Sequence, residues 1–267
     1  FAILTYGAVV VPVQSEFTPE QIYNIVNHSE SKLLFVGDTI AANITIETMP
    51  IVEAIVYLPD FSLRACKSEK LTFAREHLNE LFGKKYPKYF RKEHVAYHLD
   101  ESEELAIINY TSGTTGFSKG VMLPYRALWG NLDFMMHDLA PHVPAGSNIL
   151  SILPMAHMYG QMFELVLSFC VGAHNYILTR QPSPSLIIEA LAEVKPAIVS
   201  SVPLTIDKII RKRIFPQVQN SRIKLLSSMP VIGKKVKNSL CQMVRDLLGG
   251  NIYEVIVGGA SLNKEIE

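Results

Sequence analysis

Short apolar runs rich in β-branched residues alternate with helical patterns along most of this chain, and that alternation is what most restricts its fold. "GAVVVPV", residues 7–13, reads as a buried strand. "TPEQIYNIVNH" then reads as an amphipathic helix, with Thr18 as N-cap, Pro19 in the first helical position, Gln21 closing a capping box, and Ile22, Ile25 and Val26 on one face. "KLLFVGD" follows as a second strand. The rhythm recurs through "EAIVYL", "LAIINY", "NILSIL", "HNYIL", "AIVSSV" and "YEVIVGG", with helices such as "SLIIEALAEV" between them. Continuously apolar strands are buried on both faces, which calls for crossover helices and parallel pairing. The expected fold is therefore α/β, with two packed subdomains whose mainly parallel sheets are covered by helices. The Pro- and Gly-rich "APHVPAGSN", residues 140–148, marks the expected boundary, giving a first subdomain over 1–145 and a second over 146–267. The charged stretch from Arg64 to Glu104 interrupts the rhythm and reads as surface.

Composition narrows the function classes. With 267 residues and 48% hydrophobic content the chain can bury a substantial core. Lysine plus arginine equals aspartate plus glutamate at 25 each, so no global field draws it to nucleic acid, and any anion must be held locally. Cys66, Cys170 and Cys241 match neither a zinc spacing nor a disulfide framework, which fits a reducing, cytoplasmic setting. The opening "FAILTYGAVVVPV" is apolar but lacks a starting methionine and a basic leader, and reads as the inside of a domain. "LVLSFCVGA" falls well short of the roughly 20 residues of a membrane-spanning helix, so no transmembrane segment is expected.

The loop "TSGTTGFSKG" leaves the carboxyl end of the expected strand "LAIINY", and the sequence predicts that it runs into a helix over Pro124 to Met136. In open α/β sheets, ligands bind at that end of the strands. Gly113, Gly116 and Gly120 let the backbone approach a ligand and aim its N–H groups. Thr111, Ser112, Thr114 and Thr115 add hydroxyls, and Lys119 adds a full charge. This is the chemistry of a polyphosphate cradle. It is not a Walker A loop, which needs Gly where Ser118 stands and Ser or Thr where Gly120 stands.

"YTSGTTGFSKGV" resembles the phosphate-loop signature of the AMP-forming adenylating enzymes: acyl-CoA synthetases, luciferases and the adenylation domains of peptide synthetases. That family usually has proline where this chain has Ser118. Two more stretches resemble the family in its order. "LPMAHMYG", residues 153–160, resembles the segment whose histidine lies between acyl pocket and nucleotide, here His157. "VGGASL", residues 257–262, resembles the segment lining the adenine and the acyl carboxylate, here Gly258, Gly259 and Ala260. The continuation to Glu164, with "VPLTIDKIIRKRI" and "VGGASLNKEI", resembles the long-chain fatty acyl branch.

The resemblance implies an ATP-dependent fatty acid–CoA ligase that forms acyl-AMP and then acyl-CoA. Thr111, Ser112, Gly113, Thr114, Thr115, Gly116 and Lys119 would hold the phosphates, Thr111 would also take Mg²⁺, and Lys119 and His157 would stand at the reacting groups. It implies further that these residues are the central part of a larger synthetase. The family's "YGxTE" segment and its C-terminal lid would lie beyond Glu267, and the piece alone would not turn over. An aryl or amino acid substrate, and a non-catalytic nucleotide- or acyl-binding module, stay open as alternatives. So do homo-oligomerisation and peripheral membrane contact.

Other constellations carry less. His94 and His98 of "HVAYH" would share a helix face, but no third metal ligand is evident. "KKYPKYFRK" is basic with interleaved aromatics, as at nucleic-acid or lipid-headgroup sites, yet reads first as a solvated face. Neither a G-x-S-x-G elbow nor a G-x-G-x-x-G fingerprint is present, which argues against a hydrolase or a dinucleotide-dependent dehydrogenase.

Overall fold

A computed structural model describes residues 1–111, 119–219, 229 and 232–266. The chain is an α/β protein and divides into two compact units, Phe1–Leu128 and Trp129–Glu267.

In the first unit, helix α1 (Pro19–His28) starts as its sequence predicts. Thr18 N donates to Gln21 Oε1 at 2.9 Å, Gln21 N donates to Thr18 Oγ1 at 3.4 Å, and Pro19 occupies the first turn. Its buried face carries Ile22, Ile25 and Val26. Ile22 and Val26 join Val36, Ile46, Met49, Val52 and Ile55 in one core, each such side chain contributing about 1.5–3 kcal/mol by leaving water. That core covers a sheet of β1 (Leu33–Val36), β2 (Ala54–Tyr57) and β3 (Leu63–Cys66). β1 and β2 are parallel, whereas β3 returns antiparallel from β2. Two helices follow, α2 (Glu69–Glu76) and α3 (Leu78–Lys85), neither with a buried residue, as the charged composition of this stretch predicts.

A second sheet of this unit is an antiparallel pair, β4 (Leu105–Thr111) and β5 (Lys119–Pro124), in register from Leu105↔Pro124 to Thr111↔Lys119. Here the structure departs from the sequence reading, because the phosphate-loop segment leads into a strand before helix α4 (Tyr125–Phe134) begins. "GAVVVPV" also differs, contributing one isolated parallel bridge, Val10↔Ile107. Pro12 has no N–H to extend the ladder, so pairing stops there.

The second unit holds a four-stranded, all-parallel sheet in the order β7-β6-β8-β9, formed by β6 (Asn148–Ser151), β7 (His174–Ile177), β8 (Ile198–Ser201) and β9 (Glu254–Val257). Helices α5 (Pro184–Val194), α6 (Pro203–Arg213) and α7 (Ile232–Leu247) connect the later strands. Ile187, Leu191 and Val194 of α5 and Ile209 of α6 pack with Leu150, Ile152, Val199 and Leu248 into the core of this unit. All four residues of β8 are buried, as expected of a strand covered on both faces.

Candidate functional site

In the parallel sheet, the chain leaves β6 towards β7 on one side and β8 towards β9 on the other, so the order reverses between β6 and β8. A crevice at the carboxyl ends of the strands on either side of such a reversal is the usual ligand position in open α/β sheets. The segments that leave these ends are 152–160 after β6, Val202 and Pro203 after β8, and Gly258–Ala260 after β9. His157 and the glycine pair, both singled out from sequence, thus belong to neighbouring strand ends of one sheet.

His157 is exposed and caps a short helical turn, its Nδ1 accepting from Tyr159 N at 3.3 Å while its own N–H donates to Pro154 O at 3.0 Å. With Nδ1 accepting, the ring proton of the neutral imidazole sits on Nε2, which leaves that N–H available to a ligand oxygen. Tyr159 ties the three strand ends together. Its hydroxyl donates to Ile256 O at 2.9 Å, with Ser201 O at 3.4 Å, and its ring meets Phe163 edge-on at 5.4 Å between centroids. Burial pushes the Tyr159 phenol up.

That ring also explains the glycine at 258. A Cβ there would lie 3.0 Å from Tyr159 Cζ and 3.3 Å from each Cε, closer than ordinary van der Waals contact. Gly259 has φ +87°, a conformation side chains rarely adopt. Gly259 and Ala260 are exposed, so the backbone there can be approached by a ligand. Tyr159 is the residue that sequence reasoning missed. Its signal was an aromatic two positions after His157 in a segment opened by Pro154, but what it reaches depends on strand order.

Behind the same segment sits Glu164, 0% exposed, on a π-helical turn over Gln161–Val166. Its carboxyl accepts from Ile152 N at 3.1 Å and Leu153 N at 3.1 Å. Burial pushes its pKa up to about 8, the two backbone donors pulling back only in part.

In the first unit, Thr111 is the exposed last residue of β4 and stands in register with Lys119, the exposed first residue of β5. The register therefore brings the hydroxyl-bearing and the cationic ends of the predicted cradle together. Ser112, Gly113, Thr114, Thr115 and Gly116 lie outside the described residues. Tyr110, buried and paired with Gly120, reaches His28 with 2.6 Å between its hydroxyl and Nδ1, anchoring this strand pair to α1.

His94 closes a 3₁₀ turn and His98 lies beyond it, so the two do not share a helix face. His98 Nε2 instead lies 2.7 Å from Glu104 Oε2. Among the described residues no group of three His, Cys, Asp or Glu could hold a metal ion, and no helix is long and apolar enough to cross a membrane. The basic stretch is exposed at Lys84, Lys85, Lys88, Arg91 and Lys92, with Tyr89 76% exposed among them.

The family model described as AMP-binding enzyme matches residues 1–264. The long-chain-fatty-acid–CoA ligase of Salmonella typhimurium is 23% identical over 251 residues, covering 86% of this chain and 44% of its own length. The Arabidopsis thaliana protein named long chain acyl-CoA synthetase 6, peroxisomal, is 26% identical over 293 residues, covering 99% of this chain and 39% of its own. The chain thus spans less than half the length of these relatives. Among solved structures, a red-emitting luciferase from Phrixothrix hirtus superposes with a TM-score of 0.67 at 16% identity, over 99% of this chain and 44% of that one. The adenylation domain of a carboxylate reductase from Mycobacterium chelonae does so at 0.64 and 19%, over 99% and 41%. At such identities the superpositions speak for the fold alone. The family model spans nearly every residue, both strand-end segments and the predicted cradle included, and on that ground this chain belongs to the AMP-binding enzyme family.

Proposed function

We propose that this chain forms the nucleotide- and acid-handling part of an ATP-dependent long-chain fatty acid–CoA ligase. The observation that carries the reading is the run from Thr111 to Gly120, all hydroxyls and glycines but for Phe117 and Lys119, in a chain of this family. Fatty acid–CoA ligases among its relatives support the choice of acid.

In the proposed first step an oxygen of the fatty carboxylate bonds to the α-phosphorus of ATP as the bond to pyrophosphate breaks. In the second, the coenzyme A sulfur bonds to the acyl carbon, AMP leaves with the electron pair of the broken C–O bond, and the thiol proton goes to solvent. Neither step needs a side-chain nucleophile; both need positioning and charge neutralisation. Lys119, with the amides and hydroxyls of Ser112, Gly113, Thr114, Thr115 and Gly116, holds the distal phosphates. Gly258, Gly259 and Ala260 present backbone to the adenine and the acyl carboxylate, and His157 Nε2–H donates to an oxygen between them. Thr111 offers one hydroxyl oxygen, which, with a glutamate from elsewhere, would hold a Mg²⁺ ion, a hard cation that takes oxygen ligands. When bound, that ion neutralises phosphate charge.

The test is pyrophosphate release from ATP by the full-length protein over a panel of fatty, aryl and amino acids. Release with long-chain fatty acids is expected. Preference for an aryl or amino acid would move the substrate within the family, and no release with any acid would leave a binding module. The same reading expects no turnover from these 267 residues alone, a cytoplasmic location with peripheral membrane contact as the other outcome of fractionation, and a functional division at residues 145/146 that limited proteolysis would find within 140–148.

A further inference from the structure

We infer that Glu164 is a positioning residue for the proposed reaction, its buried carboxyl fixing the path of segment 152–160 and so the place of His157 and Tyr159 at the carboxyl ends of the parallel strands. The inference rests on the proposed function only for its consequence in ligand binding.

The sheet ladder of β6 ends at Ser151 O, which accepts from Leu178 N at 3.0 Å. The next two amides, Ile152 and Leu153, have left the ladder, and Ile152 is only 7% exposed. Glu164 takes both, at 3.1 Å for Ile152 N to Oε1 and at 3.3 and 3.1 Å for Leu153 N to Oε1 and Oε2. Pro154 follows at once, with no N–H of its own, and its carbonyl accepts from His157 N. The next link is His157 Nδ1 accepting from Tyr159 N, and the last is the Tyr159 hydroxyl on Ile256 O. One unbroken run of contacts therefore leads from the carboxyl of Glu164 to the ends of β6, β8 and β9.

Glu164 is itself held from behind. Its backbone carbonyl accepts from Ser168 Oγ and from Asn175 Nδ2, the latter at 2.9 Å, and Asn175 Oδ1 accepts from Ser151 Oγ at 2.6 Å. The network thus closes on the last residue of β6. The π-turn over Gln161–Val166 is a rare backbone form that tends to occur where a side chain must be aimed. A fully buried carboxyl within an apolar run is costly for packing alone, and an apolar residue of similar volume would suit the core better. What the carboxyl supplies, and such a residue cannot, is acceptance of one buried and one part-buried N–H where strand turns into loop.

The experiment compares wild type, Glu164→Leu and Glu164→Gln by hydrogen exchange and by calorimetry with a palmitoyl sulfamoyl adenosine, a stable mimic of the acyl adenylate. Leucine fills similar volume without an acceptor; glutamine keeps one acceptor oxygen. In wild type, Ile152 and Leu153 are expected to exchange as slowly as Leu150 although they lie beyond the ladder. Glu164→Leu is expected to speed exchange at Ile152, Leu153 and His157, and to weaken the mimic, by about tenfold or more, the cost of leaving a buried N–H without its acceptor. Amides of residues 185–194 should be unaffected, and Glu164→Gln should restore most of both losses. Fast exchange at Ile152 and Leu153 in wild type overturns the inference without any variant. So does unchanged exchange and affinity in Glu164→Leu, or failure of a folded Glu164→Gln to rescue. If wild type does not bind the mimic, the proposed function fails while the exchange data still decide the positioning.

Discussion

Gly258→Ala tests whether the Tyr159 ring dictates the glycine that follows β9. Gly258 lies outside the left-handed region, so alanine meets no backbone penalty there, and by limiting the unfolded chain it would by itself stabilise by about 0.4–1 kcal/mol. Against that, the added Cβ falls 3.0 Å from Tyr159 Cζ. The ring cannot easily yield, since its hydroxyl is bonded to Ile256 O, with Ser201 O near, and Phe163 packs edge-on against it. Overpacking of this kind costs about 1–3 kcal/mol, so a net loss of about 1–2 kcal/mol is expected in urea denaturation. Tyr159→Leu removes Cζ and both Cε atoms. In that background the same Gly258→Ala change should be neutral or slightly stabilising, giving a coupling of about 2 kcal/mol between two residues 99 positions apart in sequence. Equal costs in both backgrounds, within about 0.5 kcal/mol, would refute the idea that this ring dictates the glycine.

Three further outcomes follow from named groups. Lys119→Ala in the full-length protein should weaken ATP by about one to two orders of magnitude, as the loss of charge-assisted bonds to distal phosphates implies, and AMP much less; equal losses by calorimetry would show that Lys119 does not read those phosphates. Glu164, pushed up to about 8 from an ordinary 4.5, holds a proton in the folded state that the unfolded state releases. Its contribution is therefore complete below about pH 4.5 and is lost as pH rises towards about 8, at about 1.4 kcal/mol per pH unit. Glu164→Gln lacks that slope, so between about pH 5 and about pH 7 it should gain about 2–3 kcal/mol on wild type in urea midpoints, and a constant difference would refute the burial argument. The His98–Glu104 hydrogen bond holds the imidazole above and the carboxyl below their ordinary values. Its stabilisation is lost as pH rises through the His98 value and also as pH falls through that of Glu104, so a His98→Ala variant should differ most from wild type in between, near pH 5–6, in thermal melts.

What could be read in advance was whatever depends on neighbours in sequence. The capping box at Thr18 and Gln21 and the apolar stripe of α1 are local, and so are the runs that became β1, β2, β4 and β6 to β9. The failures are all cases where distant backbone decides. "KGVMLP" has a glycine, a proline and no alternation of apolar and polar residues, a poor strand by pattern; it pairs because β4 offers an open edge and the register sets Thr111 against Lys119. "GAVVVPV" has strand composition yet makes one bridge, because Pro12 ends what Val10 begins. Tyr159 looked like one more aromatic until the order β7-β6-β8-β9 set the ends of β8 and β9 within reach of its hydroxyl. Glu164 is the extreme case. A carboxylate in "GQMFELVLSF" reads as a helix surface position or a family marker, because charge in an apolar run is normally solvated. Its buried carboxyl is met by two amides 11 and 12 residues upstream, while an asparagine on the next strand holds its backbone carbonyl. Those donors exist because β6 ends at Ser151 and β7 lies beside it, so whether that glutamate faces water or holds the loop is decided by strand order, which residue pattern alone does not carry.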